Sequence, residues 1–221
     1  MYKFSKRLFD LTISFIALII LLPFFIPIML LLRLTGEGEV FYFQERVGIN
    51  NSSFHIWKFA TMLKNSMNMG SGSITLKNDF RVTAIGKFLR KTKINELPQI
   101  INILKGDISL VGPRPLVFKT FSAYSNDIQS EIYKVKPGLT GIGSIIFRDE
   151  ESIISGIKGE DPHEFYKRII APFKGDLEMW YQRKCSFFLD LQLIFLTAWV
   201  ILFPNSKLYE LFFKDLPIRN F

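Results

Sequence analysis

The sequence predicts a small mixed α/β domain that is associated with a membrane. The first indication is a long uncharged stretch near the N-terminus, from Leu11 to Leu32. The second is a pair of strand-like segments between Val40 and Phe59, and the third is a set of shorter segments with helical spacing further along the chain. Because 221 residues is the length of one ordinary domain, we expect a single main core.

The uncharged N-terminal stretch is long enough to enter a membrane. At about 1.5 Å per residue, a helix of this length approaches the thickness of the hydrocarbon layer. Pro23 removes a helical hydrogen bond and predicts a kink. Basic residues stand on both sides, with Lys6 and Arg7 before the stretch and Arg33 after it, unlike the one-sided charge of a spanning helix. We therefore favour a kinked re-entrant helix, with a kinked transmembrane helix as the alternative.

The middle of the chain predicts a β-hairpin followed by helices. Val40–Gln44 and Phe54–Phe59 have the composition of strands, and a turn-rich segment rich in Asn and Ser joins them. The small and polar segment 66–73 predicts a loop. A basic helix is expected over 86–93, and a second helical segment runs from Asn95 to a glycine stop at Gly106. Asn95 and Glu96 would then stand at a helix start, where phosphate binds well.

The C-terminal part predicts helices at the membrane surface. The uncharged run from Leu191 to Phe203 is too short to span a bilayer and ends at Pro204, so it suits either a core helix or an interfacial one. Segment 207–214 mixes aromatic and charged residues as an interfacial amphipathic helix does. Three regions are predicted: a membrane-embedded helix at 1–34, a globular domain at 35–204 and an interfacial tail at 205–221.

Composition and charge exclude several classes of protein. Phe alone accounts for 23 residues and 48% of the chain is hydrophobic, which rules out intrinsic disorder. One cysteine and two histidines exclude a disulfide scaffold and a zinc finger. The net charge of +8 indicates a polyanionic partner. Nucleic acid is the weakest candidate, since no nucleic-acid-binding signature is present, and neither a Walker loop nor a Rossmann fingerprint occurs.

One rigid turn carries an arginine. Pro113 and Pro115 flank Arg114 and fix the backbone on both sides, which suits a guanidinium that meets a phosphate at a set angle. A loop whose arginine points into solvent is an equally good interpretation of this turn alone.

Several short motifs occur in a set order along the chain, at Lys6–Asp10, Gln44–Gly48, Trp57–Met62, Leu89–Thr92, Glu96–Gln99, Leu104–Pro115 and Lys136–Gly141. Each motif is weak alone, but the ordered set is specific and covers the chain from Lys6 to about Thr197. This ordered set resembles the bacterial sugar transferase family, the monotopic polyprenol-phosphate phosphoglycosyl transferases.

The resemblance implies a membrane enzyme that transfers a sugar phosphate. The donor would be a nucleotide diphosphosugar, typically a UDP-sugar, and the acceptor a polyprenyl phosphate, with Mg²⁺ as cofactor. Region 35–204 would be the catalytic domain, at the cytoplasmic face of a bacterial inner membrane. A homodimer is left open, and no nucleic acid is expected.

The resemblance also assigns site residues. Asn95 and Glu96 occupy the catalytic positions, and Glu96 would also bind the metal. Substrate phosphates would be bound by four basic side chains, Lys58, Arg90, Arg114 and Arg148. The membrane kink would lie at Pro23, where relatives have Ser-Pro and this chain has Leu22-Pro23. We expect sugar specificity to lie in 149–174.

Asn95 departs from the family, which has a nucleophilic Asp at this position. A neutral amide is a poor nucleophile and a poorer magnesium ligand than a carboxylate. Three interpretations follow. In the first, another carboxylate serves as nucleophile, or the lipid phosphate attacks the diphosphate directly. In the second, the chain is a silent scaffold that binds lipid phosphate or sugar nucleotide. In the third, an engineered substitution traps a complex. The carboxylates considered are Glu96, Asp107, Asp149 and Glu150.

Overall fold

A computed structural model describes residues 2–72, 74–157, 159–219 and 221. A long N-terminal helix, α1, is followed by a mixed domain of short helices and four strands. The α-helices are α1 Tyr2–Leu34, α2 Ala84–Lys91, α3 Ile100–Lys105, α4 Phe118–Phe121, α5 Asn126–Glu131, α6 Ile142–Ile146, α7 Glu150–Ser155, α8 Pro162–Phe165, α9 Ala171–Lys184, α10 Phe187–Leu202 and α11 Leu208–Phe212. The strands are β1 Phe41–Val47, β2 Ser53–Phe59, β3 Ser109–Val111 and β4 Gly138–Thr140.

Helix α1 is continuous from Tyr2 to Leu34, and both Pro23, where the kink is predicted, and Pro27 lie inside it. It also begins well before the uncharged stretch, so its first turns are polar and basic. Its 18-residue apolar window has a mean hydropathy of 3.0 and only 11% of that window is buried. It is the one helix, within the described residues, that is long and apolar enough to cross a membrane.

The first turns of α1 contact the domain through polar side chains. Lys6 Nζ lies 2.6 Å from Asp190 Oδ2 at the start of α10. Arg7 donates to the carbonyl oxygens of Ile103 and Leu104 at the end of α3. Asp10 is buried and accepts from the hydroxyl and the main chain of β3. These charges, which the sequence presents as a membrane flank, therefore also attach α1 to the domain.

The second half of α1 packs through apolar side chains. Phe25 and Leu32 are buried in a small cluster with Phe59 of β2 and Leu89 of α2. The Phe25 and Phe59 rings meet edge to face with centroids 5.3 Å apart. Both halves of α1 thus contact the same domain. The large apolar side chains of α1 that do not face the domain are exposed.

The predicted hairpin is confirmed, with β1 and β2 antiparallel from Phe41 opposite Phe59 to Val47 opposite Ser53. Asn50 and Asn51 adopt left-handed φ angles in the connecting turn, a conformation that Asn tolerates well. Because side chains alternate along a strand, one face presents aromatic rings to α1 and the other presents Arg46 and Lys58 to the domain interior.

A short parallel pair brings two glycine-containing turns together. Ser109 of β3 pairs with Gly138 of β4, and Val111 pairs with Thr140. The backbones approach so closely after β3 that a Cβ on Gly112 would lie 2.3 Å from the Lys136 carbonyl oxygen. Glycine is required there, and this contact fixes where the following Pro-Arg-Pro turn begins.

The main core lies between α6, α9 and α10 and the segments around Tyr133. Ile142, Leu177, Leu193 and Leu196 are fully buried within it. The uncharged C-terminal run is predicted as either a core helix or an interfacial helix, and α10 has features of both. One face packs in the core, while Phe195 and Leu202 on the other face are exposed. Helix α11 has five residues, shorter than the predicted interfacial helix.

Two predicted elements differ in detail. The basic helix begins at Ala84, because the Thr83 side chain caps it by accepting from the main chain of Gly86. The segment predicted as one helix from Asn95 is a 3₁₀ turn, Ile94–Gln99, followed by α3. Pro98 explains the change, since proline disfavours the α conformation in the residue before it. The loop at 66–73 contains a short 3₁₀ turn at Ser66–Asn68, and Ser73 lies outside the described residues.

Candidate active site

Glu96 lies at the centre of a charged cluster. Its Oε1 atom accepts from Lys58 Nζ and from an Arg114 guanidinium nitrogen, each at 3.2 Å. The Glu96 and Lys58 side chains are each 15% exposed, so both charges are largely removed from water. Strand β2, the turn after β3 and the 3₁₀ turn before α3 each supply one member. The sequence-predicted residues Lys58, Glu96 and Arg114 are therefore brought together, and Arg114 does not point into solvent.

The cluster carries more positive than negative charge. Burial raises the pKa of Glu96, but the charges of Lys58, Arg114 and Lys93 outweigh it and hold that pKa well below its usual range. Burial lowers the pKa of Lys58 to about 8, against the opposing attraction of Glu96. One ionised carboxylate thus faces several cations, an arrangement that leaves positive charge for a polyanionic ligand.

Arg46 is a site residue that the sequence analysis did not assign. It projects from the same hairpin face as Lys58 and lines the same cleft, with Gln99, Arg114 and Leu139. Burial and the nearby Arg114 charge lower its pKa to about 10. Its guanidinium donates to the Pro115 carbonyl oxygen at 3.0 Å, and its Nε atom is buried without a partner in the described structure. The two-residue alternation could have identified it if continued beyond the predicted strand end at Gln44, because β1 runs to Val47.

Asn95 lies beside Glu96 and is nearly buried, with 6% of its surface exposed. Its side-chain oxygen, Oδ1, makes no hydrogen bond with any residue that the structure describes. A buried acceptor left unpaired costs about 1–3 kcal/mol, so this oxygen is available to a donor or cation that a ligand brings.

Two of the four predicted phosphate-binding residues do not bond to Glu96. Arg90 pairs with Glu151 of α7 at 2.7 Å and stands at the rim of the cluster, close enough to Lys93 to influence its charge. Arg148, the other one, makes its described contact away from the Glu96 cluster. It donates to the Val200 carbonyl oxygen near the end of α10, because α6 separates it from the glycine-rich turn and carries it away.

The other candidate carboxylates make their described bonds to residues outside the Glu96 cluster. Asp107 accepts from Asn102, and Asp149 pairs with Arg219 at the surface. Glu150 is bound to buried Lys174, and its charge acts on Arg114. Glu96 is therefore the best-placed acid, and Glu150 is the next candidate.

Comparisons with known proteins agree with the motif order. A sequence model of the bacterial sugar transferase family matches residues 1–204. The UDP-glucose:undecaprenyl-phosphate glucose-1-phosphate transferase of Klebsiella pneumoniae is 36% identical over 199 residues, covering 87% of this chain and 39% of its own length. The undecaprenyl-phosphate galactose phosphotransferase of Salmonella typhimurium is 33% identical, with 90% and 41% covered. This chain thus spans about two fifths of those relatives. The uncharacterized sugar transferase EpsL of Bacillus subtilis is 35% identical, with 87% and 85% covered.

Proposed function

The chain belongs to the bacterial sugar transferase family, and from that premise we propose that it transfers a sugar phosphate from a UDP-sugar to polyprenyl phosphate. The observation that carries the proposal is the Glu96 cluster, in which Lys58 and Arg114 bond to one carboxylate and Arg46 lines the same cleft as these two cations. Two of the relatives are named for transfer to undecaprenyl phosphate, which supports a lipid phosphate as acceptor.

The proposed reaction is a displacement at the sugar-bearing phosphorus of the diphosphate. An oxygen of the lipid phosphate forms a bond to that phosphorus, and the bond to the bridging oxygen breaks. Uridine monophosphate leaves with the electron pair of that bond, and the product is a polyprenyl diphosphosugar. Two anions must approach each other, so catalysis depends on neutralising and orienting their charges. Lys58, Arg46 and Arg114 supply three cations for this purpose.

We propose that no covalent intermediate forms at residue 95. The Asn95 amide has no carboxylate to attack phosphorus, whereas its unpaired Oδ1 can still orient a ligand. Direct attack by the lipid phosphate is then the simplest route. The second candidate function is a silent scaffold that binds sugar nucleotide or lipid phosphate, and Asn95 is the observation that favours it.

Mg²⁺ fits the site as an ion shared with the substrate. Both bonds to Glu96 fall on Oε1, so Oε2 is free of partners among the described residues, and Asn95 Oδ1 is free beside it. Magnesium in proteins often takes one or two such oxygens and completes its shell with phosphate and water. Among the residues the structure describes, no three or more His, Cys, Asp or Glu side chains are grouped so that they could hold a metal ion by themselves. When bound, the ion would neutralise charge on the diphosphate.

For the membrane, we propose that α1 is re-entrant at the cytoplasmic face of the inner membrane. In support, polar contacts at Lys6 and apolar contacts at Leu32 attach both halves of α1 to one domain, which a helix crossing to the far side would not allow. The exposed apolar side chains of α1, α10 and α11 would enter the bilayer, with Phe188, Leu202 and Leu211 each at least 70% exposed.

The function is tested by release of uridine monophosphate. The native chain, in lipid nanodiscs with Mg²⁺ and polyprenyl phosphate, is incubated with a panel of UDP-sugars. We expect release with at least one sugar, loss of that release in Glu96→Gln, and little change in Glu131→Gln, a surface acid paired with Lys134. No release by the native chain, together with release after Asn95→Asp, would identify a silenced transferase and overturn the proposal.

The topology is tested by labelling from one side of a membrane. Single cysteines replace Ser5 and Thr35 in a Cys185→Ser background, and vesicles are treated with an impermeant maleimide. We expect both positions to react from the same side. Reaction from opposite sides would show that α1 spans the bilayer.

A further inference from the structure

The main chain of Arg114 is held by two buried side chains from other parts of the fold. The Tyr133 hydroxyl donates to the Arg114 carbonyl oxygen at 2.7 Å and accepts from the Leu116 main chain at 3.0 Å. On the opposite side, the Arg114 main-chain N–H donates to Glu178 Oε1 at 3.3 Å. The turn that carries the guanidinium is thus fixed on both sides of a single residue.

The Glu178 side chain is buried in the core beside Gly143. It lies on α9 with 1% of its surface exposed. Gly143 provides the room, because a Cβ there would come within 2.3 Å of Glu178 Oε1. Burial raises the pKa of Glu178 to about 7, against the opposing effects of the Arg114 N–H and of Lys174. Either protonation state keeps an oxygen that accepts the Arg114 N–H, so glutamine can replace the acid in this bond.

We propose that Tyr133 and Glu178 are positioning residues that hold the Arg114 guanidinium on Glu96. The proposal rests on the proposed function, because it gives these residues a role in binding the diphosphate. Arg114 reaches Glu96 through one bond of 3.2 Å, and its side chain is 32% exposed. A long side chain that is held by one hydrogen bond at its end can adopt other conformations when its main chain moves. Its placement therefore depends on the bonds to its backbone.

The test compares two buried tyrosines of the same core. Tyr133→Phe removes the hydroxyl that bonds the Arg114 turn. Tyr166→Phe is the matched control, since the buried Tyr166 hydroxyl makes no hydrogen bond to the Arg114 turn. Glu178→Leu and Glu178→Gln form a second pair, in which only the glutamine keeps an acceptor. All variants are made both with Arg114 present and in an Arg114→Ala background, and thermal unfolding confirms that each one folds.

Two readouts are measured. The first is the association constant of UDP. We expect it to fall about three- to tenfold in Tyr133→Phe and Glu178→Leu, the factor for losing one buried hydrogen bond, and to change little in Tyr166→Phe and Glu178→Gln. In the Arg114→Ala background these effects should vanish. The second is the rate at which phenylglyoxal modifies Arg114 in the absence of ligand, read by peptide mass spectrometry, which should rise in the same two variants while the Arg90 rate stays constant.

The two readouts separate the two hypotheses. If the native chain does not bind UDP, the proposed function fails, and the Arg114 modification rates still decide the positioning role. Equal effects of Tyr133→Phe and Tyr166→Phe on Arg114 reactivity would overturn the inference. So would an unchanged penalty of Tyr133→Phe on UDP binding after Arg114 is removed, because the hydroxyl would then act by another route.

Discussion

Lys58 is expected to set the upper pH limit of activity. Burial lowers its pKa to about 8, with the Arg46 and Arg114 charges acting in the same direction and Glu96 acting against them. Above this pH the amine loses its proton and with it the charge that would neutralise the diphosphate. Lys58→Arg keeps a cation at the position, because a guanidinium does not lose its proton in this range. The native activity should therefore fall above pH 8, and that of Lys58→Arg should not.

The size of the fall follows from the bond that is lost. A hydrogen bond to a charged group contributes about 1.5–3 kcal/mol, so a neutral Lys58 should lower kcat/KM by about 10- to 150-fold at the plateau. At pH 9, one unit above the pKa, about nine tenths of the Lys58 side chains are neutral. We therefore expect a fall of about five- to tenfold between pH 7 and pH 9.

The assay is kcat/KM for uridine monophosphate release between pH 6.5 and 9.5, which reports ionisations of the free enzyme. Lys64→Arg is the control, since Lys64 is an exposed surface residue paired with Glu39. Its profile should match that of the native chain. A native profile that stays flat to pH 9.5, or an identical fall in Lys58→Arg, would refute the assignment of this titration to Lys58.

Two further predictions concern stability, measured by thermal unfolding in nanodiscs. Arg81 is 1% exposed and pairs with Asp79, so Arg81→Met should lower the free energy of unfolding by about 3–5 kcal/mol. Arg168→Met at the surface should lower it by less than about 1 kcal/mol. Equal losses in the two variants would contradict this prediction. Asp190→Asn removes the charge that the half-buried Lys6 amine faces and should lower the free energy of unfolding by about 2 kcal/mol. No measurable loss would show that the polar contacts of α1 do not stabilise the fold.

The hairpin and α1 could be predicted because their signals are local. The alternation of side chains from Phe41 and the Asn-rich turn indicate β1 and β2. An uncharged stretch as long as that in α1 is typical of a membrane helix. The polar contacts beneath α1 could not be predicted in the same way. Lys6 and Asp190 lie far apart in sequence, and a basic residue before an apolar stretch is expected at the membrane surface in any case.

The site was predictable where motif and fold coincide. Lys58, Glu96 and Arg114 each belong to a motif of the family, and the hairpin and the β3–β4 pair bring them together. Arg148 shows the limit of this reasoning. The resemblance assigned it as the arginine that ends a family segment after the glycine-rich turn, but the direction of a side chain beyond a short helix depends on tertiary packing. Arg46 lies beyond the predicted strand end at Gln44, whereas β1 continues to Val47 and places Arg46 on the same face as Lys58.

We propose that the lipid phosphate attacks the diphosphate directly, so that no phosphosugar is held covalently on this chain, at Asn95 or at any other residue. The most direct measurement is release of uridine monophosphate in a single turnover, with and without polyprenyl phosphate. We predict release only when the lipid phosphate is present, because it is the attacking group. A stoichiometric burst of uridine monophosphate without the lipid would contradict the claim, since the enzyme itself would then have taken the phosphosugar.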